Sequence, residues 1–208
     1  RQKLINIIEE IGVSNFKYAF VYVPEGKEID YSDDDSDWSE STIDDNGLIS
    51  DYTKSINYHF NYSVPIRHFT GQTKEREQIL KQFSNGDYST LFAMKCLDEG
   101  VDVPRTEIAI FCSSTGNPRQ YVQRRGRVLR LHDDKDEALI YDMIVIPVLQ
   151  ELDDSTKEYK CEKSLVESEV KRLLEFAKDS KSFDDILLNT ELINICDFFN
   201  INLEEIIK

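Results

Sequence analysis

Five of the ten arginines in this 208-residue chain lie between Arg119 and Arg130, a stretch without Asp or Glu. Its central part, residues 123–130, reads Gln-Arg-Arg-Gly-Arg-Val-Leu-Arg. On one α-helix, Gln123, Arg127 and Arg130 would share a face, because they are spaced i, i+4 and i+7. A guanidinium is planar, permanently charged and able to grip an anion through two hydrogen bonds, so it suits phosphate. The spacing therefore predicts a helix that presents two guanidiniums and an amide to one phosphate-rich ligand.

The same spacing predicts how this helix packs. Val122 and Leu129 fall on a neighbouring face that can turn inward, which would leave the arginines outward. Crowded arginines repel one another, which folding alone does not favour, and a ligand with several phosphates would offset the repulsion. A solvated basic face, or salt bridges with an acidic surface, is the alternative.

A second candidate segment is residues 97–104, Leu-Asp-Glu-Gly-Val-Asp-Val-Pro, which follows an apolar run typical of a strand. Loops after parallel strands are where α/β sheets bind ligands. Gly100 permits an unusual backbone conformation or the close approach of a ligand. Asp102 can accept a hydrogen bond from a ribose hydroxyl or anchor an arginine. An acidic turn without a ligand is the alternative.

Two further loops carry weaker evidence of a ligand-binding site. Residues 69–76 combine a strand end, a glycine turn and a helix start predicted at Thr73, and free N–H groups at a helix start can bind phosphate. Residues 113–118 supply hydroxyls and backbone N–H groups between a strand and the arginine helix, which Asn117 and Pro118 would open. Either loop is also compatible with an ordinary connection.

Several sites are missing from the sequence. It has no G-x-x-x-x-G-K-[ST] phosphate loop and no Ser/His/Asp or Cys/His arrangement, so we expect no nucleotide hydrolysis by this chain alone. Its four cysteines form no C-x-x-C pair and its three histidines do not cluster with them, so no metal site is predicted. Buried, reduced thiols are the expectation. The absence of a long apolar run and of a signal peptide predicts a cytoplasmic protein without membrane contact, and the initial Arg1 suggests a piece of a longer one.

The formal net charge of −15 is unevenly distributed. Residues 28–51 carry ten acidic side chains and no Lys or Arg, and we predict a long mobile acidic insertion at about residues 27–47. The acidity argues against a polybasic nucleic-acid binder, but it leaves room for a local basic site. A plain acidic linker is the alternative for the insertion.

Short apolar runs rich in β-formers alternate with helical spacing along residues 1–150. Strands that alternate with helices predict an α/β fold with a doubly wound, mostly parallel sheet. Gly12 and Gly86 offer helix stops. Residues 151–208 change pattern and predict a helical tail: an amphipathic helix around Leu165–Ala177 and two short helices, at 183–188 and 192–207.

Taken in order, these segments resemble the second RecA-like domain of a superfamily-two helicase or translocase, across residues 17–146. Residues 18–24 resemble motif four, residues 89–104 resemble motif five in its E-G-x-D-x-P form, and residues 113–118 resemble the segment that links motifs five and six. Residues 123–130 match the motif-six pattern Q-R-x-G-R-x-x-R in full. The style of these motifs is nearest to bacterial relatives of the excision-repair helicases and to restriction-enzyme motor subunits.

The resemblance implies a RecA-like fold and an ATP site between two lobes. The first lobe of such proteins supplies the phosphate loop and the magnesium-binding acids, and the second supplies arginine fingers. By resemblance, Arg127 and Arg130 would be those fingers and would stabilise transition-state charge. Gln123 would help position the nucleotide phosphates, with Arg124 among the nucleotide-binding residues.

The resemblance also implies where nucleic acid binds. Gly100 and Asp102 would lie near the ribose or couple the ATP site to the nucleic-acid site. The candidates for contact with the nucleic-acid backbone are Gly71, Gln72, Thr115, Gly116 and Asn117. Contacts to the backbone would make binding salt-sensitive and largely independent of base sequence.

The predicted function is therefore the C-terminal motor lobe of an ATP-dependent DNA helicase or translocase, with RNA still open as the nucleic acid. Its expected partners are ATP with Mg²⁺ and the N-terminal RecA-like lobe of the same polypeptide, without which it would not hydrolyse ATP. The alternative is a degenerate, non-hydrolytic module that binds nucleic acid or a protein. The acidic insertion motivates that alternative, because it could dock a basic partner or mimic nucleic acid.

Overall fold

The computed structural model describes residues 1–24, 27–28, 41–42, 45–61, 64–70, 73–93, 103, 105–112, 118–150 and 153–207. Residues 1–143 and 144–208 form two compact units. The helices and strands described in the first unit are, in chain order, α1 (Gln2–Ile11), β1 (Ala19–Tyr22), β2 (Lys27–Glu28), β3 (Ser41–Thr42), α2 (Asp45–Phe60), β4 (Ile66–Phe69), α3 (Arg76–Ser84), β5 (Thr90–Ala93), β6 (Ile108–Phe111), α4 (Pro118–Val128) and β7 (Leu139–Asp142).

Five of these strands form one sheet in the order β4-β5-β1-β6-β7, and every neighbouring pair is parallel. The predicted α/β class with a parallel sheet is confirmed. All four residues of β1, of β5 and of β6 are buried, which explains why these strands read as continuous apolar runs. The carboxyl ends of the five strands are in register across the sheet, in the row Phe69, Ala93, Tyr22, Phe111 and Asp142.

The two faces of the sheet bury different side chains. Against one face, α1 and α2 pack apolar residues such as Leu4, Ile8 and Ile56 into the core. The other face is aromatic: the Phe20 ring lies 6.4 Å from the ring of Phe83 on α3. The arginine-rich helix α4 packs on this aromatic face.

Most helix ends follow the predicted signals. Gly12 ends α1 with a φ of 83°, and Gly86 lies beyond the end of α3 with a φ of 86°. The start of α3 differs from the prediction. Its first residue is Arg76, and the Thr73 hydroxyl instead accepts a hydrogen bond from the N–H of Thr70 at 2.9 Å. The hydroxyl thus stabilises a turn before the helix, where local bonds of this kind compete with helix formation.

Part of the predicted acidic insertion has regular structure. Lys27 and Glu28 pair antiparallel with Thr42 and Ser41, and α2 begins at Asp45, before the predicted end of the insertion. Residues 29–40 and 43–44 lie outside the described residues, so the role of the insertion stays a prediction.

The second unit is helical, as the predicted tail requires. Its helices among the described residues are α5 (Lys157–Ala177), α6 (Phe183–Leu187), α7 (Thr190–Phe198) and α8 (Leu203–Ile207). The single helix predicted over 192–207 is wrong, because the chain turns at Asn200, whose φ is 50°. There the N–H of Ile201 bonds to the carbonyl of Cys196 at 2.8 Å, a bond typical of a helix terminated by a left-handed residue. Within the described part of the chain, helices are too short or too polar to cross a membrane.

The cysteines only partly match the expectation of buried thiols. Cys196 is buried and Cys112 is half-buried, but Cys161 is exposed on α5, and Cys96 lies outside the described residues. Burial raises the pKa of the Cys112 thiol to about 12.

We expect thiol alkylation to discriminate Cys161 from Cys112 in the native protein. At pH 8, iodoacetamide should modify Cys161 at least ~100-fold faster than Cys112, because the thiolate is the nucleophile and burial suppresses it. Mass spectrometry of peptides gives each rate separately, and urea-unfolded protein is the control in which the two rates should converge. Equal rates in the native protein would contradict the burial of Cys112.

Two glycines of the first unit provide a matched test of backbone constraint. Gly86 has a positive φ, and a Cβ there would lie 3.1 Å from the Tyr18 hydroxyl, whereas a Cβ on Gly126 in α4 would meet no atom within 4 Å. Gly86→Ala should lower the free energy of unfolding by about 1–2 kcal/mol, the penalty for a left-handed L-residue. Gly126→Ala should instead raise it by about 0.5–1 kcal/mol, because alanine favours a helix interior. Urea denaturation measures both, and a stabilising Gly86→Ala would refute the geometry.

Candidate functional site

The arginine-rich segment forms α4, and its first residue is Pro118, as predicted. Proline suits this position because the first N–H groups of a helix lack intrahelical partners. The helix ends at Val128, and one further helical bond follows, from the N–H of Leu129 to the carbonyl of Arg125 at 3.0 Å. Arg130 therefore lies beyond the helix. The predicted common face holds for Gln123 and Arg127, one turn apart, but helix geometry does not position Arg130.

The buried face of α4 differs from the prediction. Val122 and Leu129 are 55% and 50% exposed, so the expectation that they pack inward is wrong. Arg124 and Val128, only 7% and 2% exposed, make the inward face instead. The aromatic sheet explains the difference, because an arginine can bury its aliphatic stem and place its guanidinium on a ring.

Arg124 lies over that aromatic sheet. Its guanidinium carbon is 5.3 Å from the centre of the Tyr22 ring, and the Tyr22 ring stacks on Phe111 at 4.6 Å with an angle of 9° between the planes. Tyr22 and Phe111 are also the in-register carboxyl ends of β1 and β6. A cation against stacked rings thus joins α4 to the middle of the sheet.

Other residues of the arginine motif are exposed or only half-buried. Gln123 and Arg130 are exposed, and Arg127 is half-buried. Gly126 lies on the helix with open space where a Cβ would be. Glycine costs about 1 kcal/mol relative to alanine inside a helix, and packing among the described residues offers no compensation for it. A surface partner that approaches the helix backbone would supply the reason.

The carboxyl end of α4 is anchored toward the amino-terminal edge of the sheet. The Nζ of Lys135 donates hydrogen bonds to the carbonyls of Val128 and Arg130, the latter at 3.0 Å. The neighbouring carbonyl of Asp134 accepts a 2.6 Å bond from Arg105, which precedes β6. With eleven residues α4 is about 16 Å long, so its arginine end is well separated from its start.

The remaining predicted site residues lie outside the described residues. They are Gly71, Gln72, Gly100, Asp102, Thr115, Gly116 and Asn117. In the chain, each follows the carboxyl end of β4, β5 or β6, and these ends share one edge of the sheet. The arginine end of α4 is anchored at the opposite edge.

A basic cleft of about 530 Å³ lies beside the β4–α3 connection. Its lining includes Arg67, His68, Thr70, Thr73 and Lys74, residues that flank the predicted contacts in this loop. Burial lowers the pKa of His68, and the charge of Arg67 lowers it further, so the imidazole is neutral near pH 7. Arg67 and Lys74 bring positive charge to the cleft, and Glu75 brings one negative charge.

Sequence reasoning missed Lys135 and Arg105 altogether. Lys135 lies in the polar run His-Asp-Asp-Lys-Asp-Glu, which carries no pattern that distinguishes it from an exposed turn. Burial lowers the pKa of its amino group, partly offset by the nearby Glu107 carboxylate. Only the folded chain brings this amino group to the end of α4.

A family model matches the part of the chain that contains the arginine helix. Residues 38–132 match the family model of the helicase conserved C-terminal domain. These residues include α2 through α4, and so three of the five sheet strands, β4, β5 and β6, and the arginine helix. This match agrees with the resemblance to the second RecA-like domain of a superfamily-two helicase that the ordered motifs indicated.

Relatives of this chain include proteins that act on DNA. It is 39% identical over 83 residues to the DNA 3'-5' translocase XPB2 of Sulfurisphaera tokodaii, covering 40% of this chain and 18% of that protein. It is 31% identical over 82 residues to the DNA 3'-5' helicase XPB of Mycobacterium tuberculosis, covering 39% of this chain and 15% of that protein. The chain thus spans less than a fifth of either relative.

A solved structure supports the fold. The yeast DEAD-box splicing factor Prp28 matches 97% of this chain with a TM-score of 0.56 and 12% sequence identity, over 35% of its own length. At this identity the match concerns the fold alone. The RecA-like α/β fold predicted from the motif order is confirmed.

We expect Arg124 to matter for stability in a way that Arg130 does not. Arg124→Ala should lower the free energy of unfolding by about 1–3 kcal/mol, because it removes a buried stem and a cation over an aromatic ring. Arg130→Ala, at an exposed position, should change it by no more than about 0.5 kcal/mol. Urea denaturation followed by circular dichroism measures both. Similar losses for the two variants would contradict the inward orientation of Arg124.

Proposed function

We propose that this chain is the second motor lobe of an ATP-dependent helicase or translocase that acts on DNA. The observation that carries the proposal is α4: a motif-six helix held on the sheet by Arg124, with Gln123 and Arg127 on its outer side. The family match and the DNA-acting relatives support the same function.

In this proposal, Arg127 and Arg130 act as arginine fingers. Positive charge aimed at the γ-phosphate stabilises the charge that develops during phosphoryl transfer. Arg127 is carried by the last turn of a helix packed on the sheet, so little reorganisation is needed when nucleotide binds. Gln123, one turn earlier, would position the phosphates. Arg124 would act mainly by fixing the helix, although it also stays a predicted nucleotide contact.

The nucleotide itself requires a second lobe. The chain contains no phosphate loop, so ATP and Mg²⁺ would be held mainly by an N-terminal RecA-like lobe of the same polypeptide. Exposed Val122 and Leu129 and the open backbone at Gly126 support the approach of such a lobe to α4. The second lobe, without its N-terminal partner, would then bind nucleotide weakly and would not hydrolyse it.

Nucleic acid would bind at the other end of the strands. The cleft beside β4 offers Arg67, Lys74 and the Thr73 hydroxyl close in the chain to Gly71 and Gln72, with Glu75 also in its lining. Such groups commonly contact the phosphates of nucleic acid. Gly100 and Asp102, after β5, would couple this site to ATP, and Thr115, Gly116 and Asn117 would extend the backbone contacts.

We expect ATPase assays of the two-lobe protein to test the arginine fingers. Arg127→Ala and Arg130→Ala should each lower the DNA-stimulated kcat by at least ~100-fold, with a smaller change in KM, because a finger acts in the transition state. Arg1→Ala is the matched control, since Arg1 is exposed and contacts Asp51 at 3.5 Å.

Wild-type turnover in both finger variants would overturn the assignment. If the wild-type two-lobe protein binds DNA but hydrolyses no ATP, the non-hydrolytic binding module is the better description. Parallel titrations with single-stranded RNA would decide which nucleic acid the protein prefers.

A further inference from the structure

Lys135 contacts the backbone of Arg130, at the end of the arginine motif that lies beyond α4. Helix α4 ends at Val128, and the next residues leave the helix before Arg130. The Lys135 ammonium donates to the carbonyl of Val128, the last helical residue, and to the carbonyl of Arg130 at 3.0 Å. One side chain therefore bridges the end of the helix and the backbone of the second predicted finger.

The turn that carries Lys135 is itself fixed. The N–H of Lys135 bonds to the carbonyl of His132 at 3.0 Å, which closes a tight turn. Arg105 bonds to the carbonyl of Asp134 at 2.6 Å and pairs with Glu107 at 3.0 Å. The guanidinium of Arg105 also lies 4.0 Å from the centre of the Tyr18 ring, next to β1. The turn is thus tied to the amino-terminal edge of the sheet.

We propose that Lys135 is a positioning residue that sets the backbone, and so the reach, of Arg130. The proposal rests on the proposed function, because it concerns the finger role of Arg130. Carbonyls at the end of a helix lack intrahelical donors and carry partial negative charge, so an ammonium satisfies them in both respects. Lys135 touches neither nucleotide nor nucleic acid in this proposal.

The first measurement is amide hydrogen exchange in the nucleotide-free two-lobe protein. Lys135→Met should speed exchange of the Leu129 N–H, which bonds to the Arg125 carbonyl at 3.0 Å, at least ~10-fold, because the end of the helix loses its anchor, and Lys135→Arg should restore slow exchange. Lys178→Met, which removes an exposed lysine at the end of α5, should leave this segment unchanged. Unchanged exchange in Lys135→Met would overturn the proposal whatever the enzyme does.

The second measurement is a double-mutant cycle on ATPase activity. Lys135→Met should lower kcat by about 10- to 100-fold with KM nearly constant, since small misplacement of a catalytic group has effects of this size. In an Arg130→Ala background, the same substitution should cause no further loss. Should Lys135→Met prevent folding, Lys135→Gln keeps a neutral donor and carries the cycle.

The two proposals fail in different ways. Wild-type turnover in Arg130→Ala would refute the finger role, and the inference for Lys135 with it. If Arg130→Ala loses activity while Lys135→Met keeps wild-type turnover, the inference for Lys135 is refuted and the finger role of Arg130 stands. Losses that multiply in the double variant would also refute it, because Lys135 would then act independently of Arg130.

Discussion

The packing of Arg124 on Tyr22 is the interaction on which the arrangement of the arginine helix depends. Tyr22 and Phe111 end neighbouring parallel strands in register, so their rings stack and form a flat aromatic surface. A guanidinium lies on this surface, and Val128 completes the buried face one turn later. Because Arg124 and Val128 occupy the buried side of α4, Gln123 is exposed and Arg127 is half-buried. A sheet without the stacked rings would have no evident reason to receive an arginine.

The strands also divide the chemistry of the domain. Every predicted loop contact to nucleic acid follows the carboxyl end of a strand, whereas the end of α4 is tied by Lys135 and Arg105 to the opposite edge. In the proposed function, α4 would link the nucleotide site to the nucleic-acid site. The mean acidity of the chain has little bearing on either, since most of the excess lies in residues 28–51.

Much of the fold was predictable from local patterns. Short runs of mostly apolar residues identified β1, β5 and β6, because strands buried on both faces have no polar alternation. Gly12 and Gly86 marked helix ends correctly, because left-handed backbone strongly favours glycine. The helix start predicted at Thr73 and the single helix predicted over Leu192–Ile207 were wrong for the same reason. A hydroxyl or an asparagine can support several local conformations, and the packing around it selects one.

The sequence by itself determined the resemblance to helicase domains, the parallel sheet and the identity of the arginine motif, since motif order and spacing are properties of the chain. Tertiary structure alone decided which arginine is buried, where the helix stops and what holds Arg130. Helical periodicity assigns side chains to faces but does not say which face meets the sheet, and an aromatic surface accepted Arg124 in place of Val122 and Leu129. Lys135 reaches the end of α4 only because a turn fixed to the sheet edge brings it there, and no local pattern encodes that contact.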